Sequence, residues 1–505
     1  MSDKITLEAL KTHLWKASDI LRGSLDAQEY RQPVMTILFL KRLNDTFEEN
    51  VEKLKLEGDS QKKAEQKFRH KFYVPETARW NVLSDASSNL GEIIDNVCRD
   101  IEKEVKQLEG VLTNTKYNDK KKYPDDKLRK LIAHFNELPL QNKNLEKEDL
   151  FGDAYEYLLE TFADETKKKG GEFFTPREIV QLLVNITKPK EGMKISDPTC
   201  GSGGMLVVSR KYVEKHGGNT VDLTLDGQES NYGNLGMCKM NLVLHGMEDP
   251  RIEYGDTLSD PKLLENGKLK QYDKVLANFP FSMDWDNSSA SKDPYNRFAY
   301  GIPPAKDKAD YAFILHMLAS LNEKGQAGII CSQGILFRGG EEKKIRKNMI
   351  LGDKISNLQG DVIEAIIALP EALFWGTGIP ACVMILNKNK NKKRKNKILF
   401  IYASKDSEKV PGIGTRYKIS TKGSDKILSA FENFEDIDKY CHVADIAELE
   451  ENEFNLNVQR YVDISIPEEP IDIQEAYDEL KNSYTEQDKL KKFVEADLKG
   501  LNIKL

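Results

Sequence analysis

Residues 197–204 read Asp197-Pro198-Thr199-Cys200-Gly201-Ser202-Gly203-Gly204, a glycine-rich turn between a short apolar run and an amphipathic stretch. Such a turn after a strand lets the backbone approach a bound nucleoside, because a side chain at Gly201 or Gly203 would fill the space that the ligand needs. Asp197 adds a carboxylate at the strand tip that can accept hydrogen bonds from a ligand ammonium. The turn, including Ser202 and Gly204, therefore predicts a site for a cofactor that carries an amino acid. It lacks the third glycine of a dinucleotide fingerprint, which disfavours a nicotinamide dehydrogenase.

Around this turn, short apolar runs alternate with amphipathic helices, a pattern typical of a doubly wound α/β sheet. The pattern predicts eight strands, at 193–196, 222–225, 251–254, 274–277, 327–332, 363–369, 382–387 and 398–403. It predicts helices between most of these strands, at 204–216, 231–245, 310–322 and 341–350. The last three strands have no long helix between them, so we expect an antiparallel sheet edge there.

Three domains are predicted along the 505 residues. Residues 1–150 carry apolar side chains at steps of three and four, which indicates an N-terminal helical domain. The sheet domain follows at 151–465, and a C-terminal helical tail at 466–505. In the tail, apolar residues fall on a seven-residue grid that begins at Ile473. This grid predicts a helix that binds a partner or packs on the chain's own helical domain.

The overall composition limits the choice of compartment and partner. Acidic residues outnumber basic ones by 82 to 75, so contact with a nucleic acid needs a local basic surface or a basic partner. The six cysteines form no CxxC pair, which argues against a zinc site or a disulfide framework, and no metal site is expected. No apolar run is long enough for a membrane helix, and we expect a cytoplasmic protein. The basic segment 388–397 is either a solvated hairpin tip or a phosphate contact.

Two more acids stand where a nucleoside would need them. Glu229 follows the second predicted strand and can accept hydrogen bonds from both ribose hydroxyls, although Asp226 competes for this role. Asp256 follows the third predicted strand and can accept a hydrogen bond from an adenine amino group. Either acid alone is more typical of a turn or a helix cap. Together with Asp197, they place three acids at successive strand ends.

The fourth predicted strand ends in Asn278-Phe279-Pro280-Phe281, which suits chemistry on an exocyclic amino group. The lone pair of such a nitrogen is delocalised into the ring, so hydrogen bonding has to activate it. The Asn278 side-chain oxygen and the Phe279 carbonyl can accept both amino hydrogens and direct the lone pair at a methyl group on a sulfonium. Pro280 stiffens the loop, and Phe281 offers a face for an extruded base. The competing interpretation is an ordinary turn in which Phe279 and Phe281 fill the core.

A second loop precedes the turn at Glu172-Phe173-Phe174-Thr175-Pro176-Arg177. Thr175 is a natural N-cap for the helix predicted after it, with Pro176 in the first turn. Capping does not explain the two phenylalanines, nor the glycines and lysines before them. These residues indicate a flexible loop that closes over a ligand.

Taken together, these motifs resemble the modification subunit of type I restriction-modification systems, an adenine-N6 DNA methyltransferase. Residues 172–177 resemble the loop at the methionine end of S-adenosylmethionine, and residues 197–204 resemble the cofactor turn. Glu229 matches the ribose acid, and Asp256 matches the acid on the adenine side. Residues 278–281 stand at the Asn-Pro-Pro-Phe catalytic loop, where Phe279 replaces the first proline and removes its fixed φ angle.

The resemblance implies a Rossmann-like methyltransferase sheet, S-adenosylmethionine as cofactor and DNA as substrate. It also implies partners: a DNA-specificity subunit with two copies of this chain, and a restriction subunit with nuclease and translocase activity. Two alternatives stay open from the residues alone. The chain could methylate another planar amine or amide, such as cytosine N4, RNA adenine or a protein glutamine, or it could be a scaffold that binds the cofactor without turnover.

Overall fold

The structure is a computed structural model. It describes residues 4–22, 27–146, 150, 154–155, 157–158, 175–247, 250–306, 308–374, 380–410, 417–465 and 473–500. The chain divides into two compact units, Met1–Val462 and Asp463–Leu505. The domain boundaries predicted at 150 and 465 stay predictions.

The larger unit is built on a mixed sheet of nine strands, which confirms the predicted α/β class. The strands of the described chain are β1 Lys194–Asp197, β2 Thr224–Glu229, β3 Arg251–Tyr254, β4 Leu264–Glu265, β5 Lys268–Leu269, β6 Tyr272–Asn278, β7 Leu321–Ser332, β8 Ile363–Ala368, β9 Ala381–Asn387, β10 Lys397–Tyr402, β11 Ser407–Lys409, β12 Tyr417–Ile419 and β13 Cys441–Asp445. The sheet order is β13-β10-β8-β9-β7-β6-β1-β2-β3, while β4 pairs with β5 and β11 with β12 as small hairpins. All eight predicted strands are present in the large sheet.

The direction of the strands differs from the prediction at one side of the sheet. β1 is parallel to β2 and β6, β6 to β7, and β8 to β10. The antiparallel strand β9 lies inside the sheet, between β7 and β8, rather than at its edge. The antiparallel edge is β13, which pairs with β10 and was not predicted. Every residue of β8 is buried, as expected for a strand with both faces covered.

Helices precede and cover this sheet. The described α-helices are α1 Leu7–Leu21, α2 Ala27–Leu56, α3 Gln61–Ala64, α4 Trp80–Ser84, α5 Leu90–Glu104, α6 Asp125–Asn136, α7 Arg177–Thr187, α8 Gly204–Lys215, α9 Tyr232–Leu244, α10 Asp310–Ser320, α11 Glu341–Leu351, α12 Thr421–Asn433, α13 Ile446–Glu451 and α14 Ile473–Gly500. Short 3-10 turns lie at Lys67–Arg69, Glu76–Ala78, Lys106–Leu108, Asn142–Asn144, Ala290–Lys292, Gln333–Leu336 and Val458–Arg460. Among the described residues, no helix is both long and apolar enough to cross a bilayer.

The N-terminal helices share a hydrophobic core with one helix of the sheet layer. Met237, Met240 and Val243 of α9 belong to the same buried cluster as the apolar faces of α1, α2, α5 and α6. The Tyr232 hydroxyl at the start of α9 donates to the Gly110 carbonyl at 2.7 Å. The helical region is therefore packed directly against the helix that follows β2.

The basic segment 388–397 is folded against the sheet by ion pairs. Lys390 pairs with Asp361 at 2.6 Å, Arg394 with Glu364 at 3.0 Å, and Lys393 with Glu435 at 2.8 Å. The segment joins the end of β9 to the start of β10, so it lies at the amino end of the parallel strands. Asp197 lies at the carboxyl end of β1, which is the opposite end of the parallel strands. This placement favours a structural role over a phosphate contact near the site.

Candidate active site

The predicted turn, acid and amide loop meet at one edge of the sheet. β1 ends at Asp197, β2 at Glu229 and β6 at Asn278, and these three strands are parallel neighbours. Parallel strands place their carboxyl ends at the same edge, where open α/β sheets bind ligands. The fold therefore brings the cofactor turn and the amide loop side by side.

The glycine-rich turn has left-handed backbone at two positions. Gly201 has φ 51° and Gly203, which precedes α8, has φ 82°. A Cβ atom added to Gly203 would lie 2.9 Å from the Cys238 Sγ and 3.4 Å from a Leu242 methyl carbon, both on α9. The reason for glycine at 203 thus differs from the prediction. The missing side chain lets α8 approach α9, because an added Cβ atom would point into the core and not toward a ligand. Gly203 therefore affects the shape of the turn through packing against α9.

We expect Gly203→Ala to destabilise the protein by about 1–3 kcal/mol, because it combines a left-handed backbone with overpacking against Cys238. Cofactor affinity should fall as well, since the turn has to move. The matched control is Gly217→Ala, just beyond the other end of α8. Gly217 has φ 76° but no neighbour within 4 Å, so this variant carries only the backbone cost. Thermal melting and cofactor titration of both variants test the difference, and equal losses would contradict the packing argument.

Glu229 joins the ends of β1 and β2. Its Oε2 accepts from the Gly201 backbone N–H at 2.9 Å and its Oε1 from the Asn231 N–H at 2.7 Å. Each carboxylate oxygen can accept a second hydrogen bond, so two ribose hydroxyls can still be bound. The competing Asp226 is buried and pairs with Lys270 at 2.6 Å and with the Tyr272 hydroxyl at 2.7 Å. Asp226 is committed to structural partners, which favours Glu229 as the ribose acid.

Asp197 is almost fully buried, with 2% of its surface exposed. Its Oδ1 accepts from the Thr199 backbone N–H at 3.0 Å. Burial, with the neighbouring Glu229 carboxylate, raises the pKa of Asp197 to about 8. Burial also raises the pKa of Glu229. Among the described lysines and arginines, none lies within ion-pair distance of either carboxylate.

Two buried acids without a cation in the described chain fit a cationic ligand. S-adenosylmethionine carries an ammonium and a sulfonium, and either charge would stabilise the ionised form of Asp197. The donor and acceptor set at the β1 and β2 ends therefore suits this cofactor. An acid buried without a cation is costly in its ionised form, so the burial of Asp197 is explained most simply by ligand binding.

The third predicted acid stands at the margin of the site. Asp256 is exposed, and its Oδ1 caps the next turn by accepting from the Leu258 and Ser259 N–H groups at 2.7 and 3.0 Å. The buried Arg297 guanidinium also stabilises this turn, because it donates to the Thr257 and Leu258 carbonyls at 3.1 and 2.9 Å. The role of Asp256 toward the cofactor adenine stays a prediction.

Asn278 is hydrogen-bonded to both neighbouring loops. Its side-chain Nδ2 donates to the Thr175 hydroxyl at 3.0 Å, and its backbone carbonyl accepts from the Thr199 hydroxyl at 3.4 Å. The donor end of the amide therefore faces Thr175, and the acceptor Oδ1 is turned the other way. These bonds connect the amide loop to the cofactor turn and to the loop before α7.

Thr175 does not have the predicted capping role. The helix α7 begins at Arg177 with Pro176 at the N-cap position, and no side chain caps it. The Thr175 hydroxyl bonds to Asn278 instead. The residues Glu172, Phe173 and Phe174, predicted to bind the methionine end of the cofactor, lie outside the described residues.

The two phenylalanines of the loop have different surroundings. Phe279 is fully buried and stacks on Phe313 of α10, with ring centroids 5.1 Å apart and an interplanar angle of 14°. Phe281 and the preceding Pro280 are half-buried, and the Phe281 and Phe374 rings form a T-shaped pair with centroids 6.5 Å apart. The core interpretation is thus correct for Phe279, whose carbonyl is unaffected by it, while Phe281 keeps an accessible surface. The sequence analysis missed Phe374 and the hydrogen bond between Thr199 and Asn278, since neither is visible without the fold.

Comparison with known proteins agrees with this geometry. The family model described as N-6 DNA Methylase matches residues 146–469, and the model described as HsdM N-terminal domain matches residues 10–135. The chain is similar to the MjaVII type I restriction enzyme methylase subunit of Methanocaldococcus jannaschii, with 33% identity over 95% of this chain and 82% of the relative. It is also similar to the HindI methylase subunit of Haemophilus influenzae, with 30% identity over 77% of this chain and 89% of the relative.

A solved structure gives the same result in three dimensions. The type I restriction-modification methyltransferase subunit of Streptococcus thermophilus is 30% identical, with a TM-score of 0.78 over 91% of this chain and 100% of that chain. The family's reaction is methylation of adenine N6 in DNA, which decides against cytosine N4, RNA and protein substrates. By sequence, fold and the arrangement of its sheet edge, the chain belongs to the N-6 DNA methylase family, among the methylase subunits of type I restriction enzymes.

Proposed function

We propose that this chain transfers a methyl group from S-adenosylmethionine to N6 of an adenine that is flipped out of DNA, as the methylase subunit of a type I restriction-modification complex. The observation that carries the proposal is the position of Asn278. Its amide loop is hydrogen-bonded to Thr199 of the glycine-rich turn, beside the buried carboxylates Asp197 and Glu229. A base nitrogen and a methyl donor held by these groups would be neighbours.

The cofactor would lie along the edge formed by β1, β2 and β3. When bound, S-adenosylmethionine supplies an electrophilic methyl group on a sulfonium. Asp197 would accept a hydrogen bond from the ammonium, Glu229 would accept hydrogen bonds from the ribose hydroxyls, and Asp256 would accept one from the adenine amino group. The turn Gly201-Ser202-Gly203-Gly204 would form the floor of the cofactor site, and we assign binding of the methionine end to the sequence 172–177.

The target adenine would lie against the loop at the end of β6. Asn278 Oδ1 and the Phe279 carbonyl accept the two amino hydrogens, so the nitrogen lone pair is directed toward the methyl group. Thr175 holds the other end of the Asn278 amide and thereby sets which atom faces the base. Phe281 supplies a face for stacking, which offsets part of the cost of unstacking the base.

Further subunits complete the proposed complex in the cytoplasm. We assign to it a DNA-specificity subunit that reads the target sequence, a restriction subunit, and two copies of this chain per specificity subunit. The net charge of −7 supports the need for a partner that contributes to DNA binding. The tail helix α14 supports a partner too, because its apolar side chains Ile473, Tyr477, Leu480, Tyr484, Leu490, Phe493 and Val494 are all more than half exposed.

The test is methyl transfer by this chain after co-purification with a specificity subunit encoded by a neighbouring gene. With tritiated S-adenosylmethionine and unmethylated genomic DNA, we expect label in N6-methyladenine after digestion of the DNA to nucleosides. Label in N4-methylcytosine, or in RNA or protein instead of DNA, would overturn the assignment. Native mass spectrometry of the same sample checks the expected ratio of two copies to one specificity subunit.

A further inference from the structure

The exit of the amide loop has an unusual backbone. Ser282 directly follows Phe281 and has φ 57°, a left-handed conformation that residues other than glycine rarely adopt. Its backbone N–H donates to Asp310 Oδ1 at 2.8 Å. A strained residue of this kind persists where the surroundings hold it in place, and such residues cluster at functional sites.

The group that holds Ser282 is a buried carboxylate outside the site described above. Asp310 is the first residue of α10 and has no exposed surface. Its second oxygen, Oδ2, accepts from Arg338 at 2.8 Å, and the Ser332 hydroxyl lies 3.5 Å from it. A buried carboxylate is costly unless it is paired, and Arg338 offsets that cost. The ionised form of Asp310 makes the bond to the Ser282 N–H stronger than a neutral acceptor would.

Helix α10 also contacts the Asn278 loop through a second side chain, Phe313. Phe313 lies three residues after Asp310, which places both side chains on one face of α10. Phe313 stacks on Phe279, and Asp310 binds the N–H of Ser282. The face therefore contacts the loop on both sides of Pro280 and Phe281. Neither Asp310 nor Phe313 contacts Asn278 or the glycine-rich turn through any hydrogen bond among the described residues.

We propose that Asp310 is a positioning residue for methyl transfer: by anchoring the Ser282 N–H, it fixes the loop exit so that the Phe279 carbonyl and the Phe281 ring face the target base. This proposal rests on the proposed role of the Asn278 loop. Asp310 touches neither substrate nor cofactor and acts through the backbone alone. Its loss should therefore change the rate of the chemical step and leave cofactor binding unchanged.

The first variant is Asp310→Ala, which removes the anchor. We expect kcat to fall by about 10–100-fold, since a displacement of about 1 Å in a reacting group costs up to about 100-fold. The affinity for S-adenosylmethionine should stay within about twofold. Asp310→Asn keeps an oxygen for the Ser282 N–H and should recover most of the lost kcat. If Asp310→Ala does not fold, Asp310→Glu replaces it, because it keeps a charge for Arg338 and moves the carboxylate; the same loss of kcat is expected.

The matched control is Glu342→Gln. Glu342 is also fully buried and also lies close to Arg338, at 3.5 Å, but among the described residues it makes no hydrogen bond to the loop. If Asp310 acts only through the stability of this cluster, Glu342→Gln should lower kcat to a similar extent. We expect Glu342→Gln to keep a kcat within about twofold of the parent, and the melting temperatures of both variants show how far each change affects the stability of the cluster.

The assays use the complex with its specificity subunit, unmethylated genomic DNA and tritiated cofactor, with calorimetry for cofactor affinity. Unchanged kcat in Asp310→Ala or in its substitute Asp310→Glu, or an equal loss in Glu342→Gln, would overturn the positioning role. Asn278→Ala is measured beside them. If Asn278→Ala stays active, the proposed site itself is wrong. If Asn278→Ala is inactive while Asp310→Ala, or its substitute Asp310→Glu, keeps the kcat of the parent, only the positioning role is wrong.

Discussion

Asn278→Ala should reduce DNA methylation to background, a loss of at least about 100–1,000-fold, while binding of S-adenosylmethionine is retained. The reason is that the amide oxygen would be the main acceptor for the amino hydrogens, and the backbone carbonyl of Phe279 cannot replace it alone. The side chain makes its described hydrogen bond with Thr175 and not with the cofactor turn, so the cofactor acids keep their places. Tritium transfer and calorimetry on the same preparation check both halves of the prediction.

The control for this variant is Asn387→Ala. Asn387 is likewise a half-buried asparagine at a strand end of the same sheet, and its amide donates to Glu364 at 3.0 Å. It lies at the opposite edge, so its loss should cost a similar amount of stability and leave methylation intact. Activity retained in Asn278→Ala, or lost equally in both variants, would refute the proposed role of Asn278.

Asp197→Asn should weaken cofactor binding by about tenfold or more and, at the same time, stabilise the cofactor-free protein. The folded-state pKa of Asp197 is about 8, against an ordinary value near 4. Between these two values the folded state holds a proton that the unfolded state releases, so wild-type stability falls as pH rises from about 4 to 8. An asparagine does not titrate and avoids this loss. The gap in melting temperature between variant and wild type should therefore widen from pH 5 to pH 8.

Binding of the cofactor by the wild type should also depend on pH. A bound ammonium favours the ionised carboxylate, so at pH 7 the wild type should release nearly one proton as it binds S-adenosylmethionine. Affinity should rise with pH up to about 8, where the ligand's own amino group begins to lose its proton. Calorimetry in two buffers of different ionisation enthalpy measures the proton count. A count near zero in the wild type would contradict the role of Asp197.

Asp226→Asn is the contrasting variant. Asp226 is equally buried but already pairs with Lys270, so its replacement leaves a cation without its partner. We expect the opposite sign, with a lower melting temperature at pH 8 and little direct effect on proton release. If both variants change stability in the same direction, the absence of a cation beside Asp197 does not account for its effect on stability.

The sheet was predictable because its strands are buried on both faces and therefore read as short apolar runs that end in glycine or an acid. All eight predicted strands were found within about two residues at most ends, with β7 and β2 longer than expected. The strand β13 was missed because Cys441-His442-Val443-Ala444-Asp445 is an edge strand with a mixed pattern and partial burial. Its pairing with β10 depends on contacts that local sequence does not encode.

The site was predictable in part. The sequence places Asp197, Glu229 and Asn278 at strand ends, and parallel pairing then brings them together. It does not show that Thr175 bonds to Asn278 rather than capping α7, because the two residues are 103 positions apart. Phe279 is a similar case. Its substitution for proline removes a fixed φ, yet stacking on Phe313 supplies rigidity of another kind through a residue 34 positions later.

The hydrophobic core shared by α9 and the N-terminal helices limits where segments of this protein can be exchanged with those of a related methylase. Met237, Met240 and Val243 of α9 are buried against the N-terminal helices, and the same helix follows Glu229, the proposed ribose acid. A chimera with a junction between the two family segments would separate α9 from the side chains that bury it. A junction after Val462, where the larger compact unit ends, would leave this shared core intact.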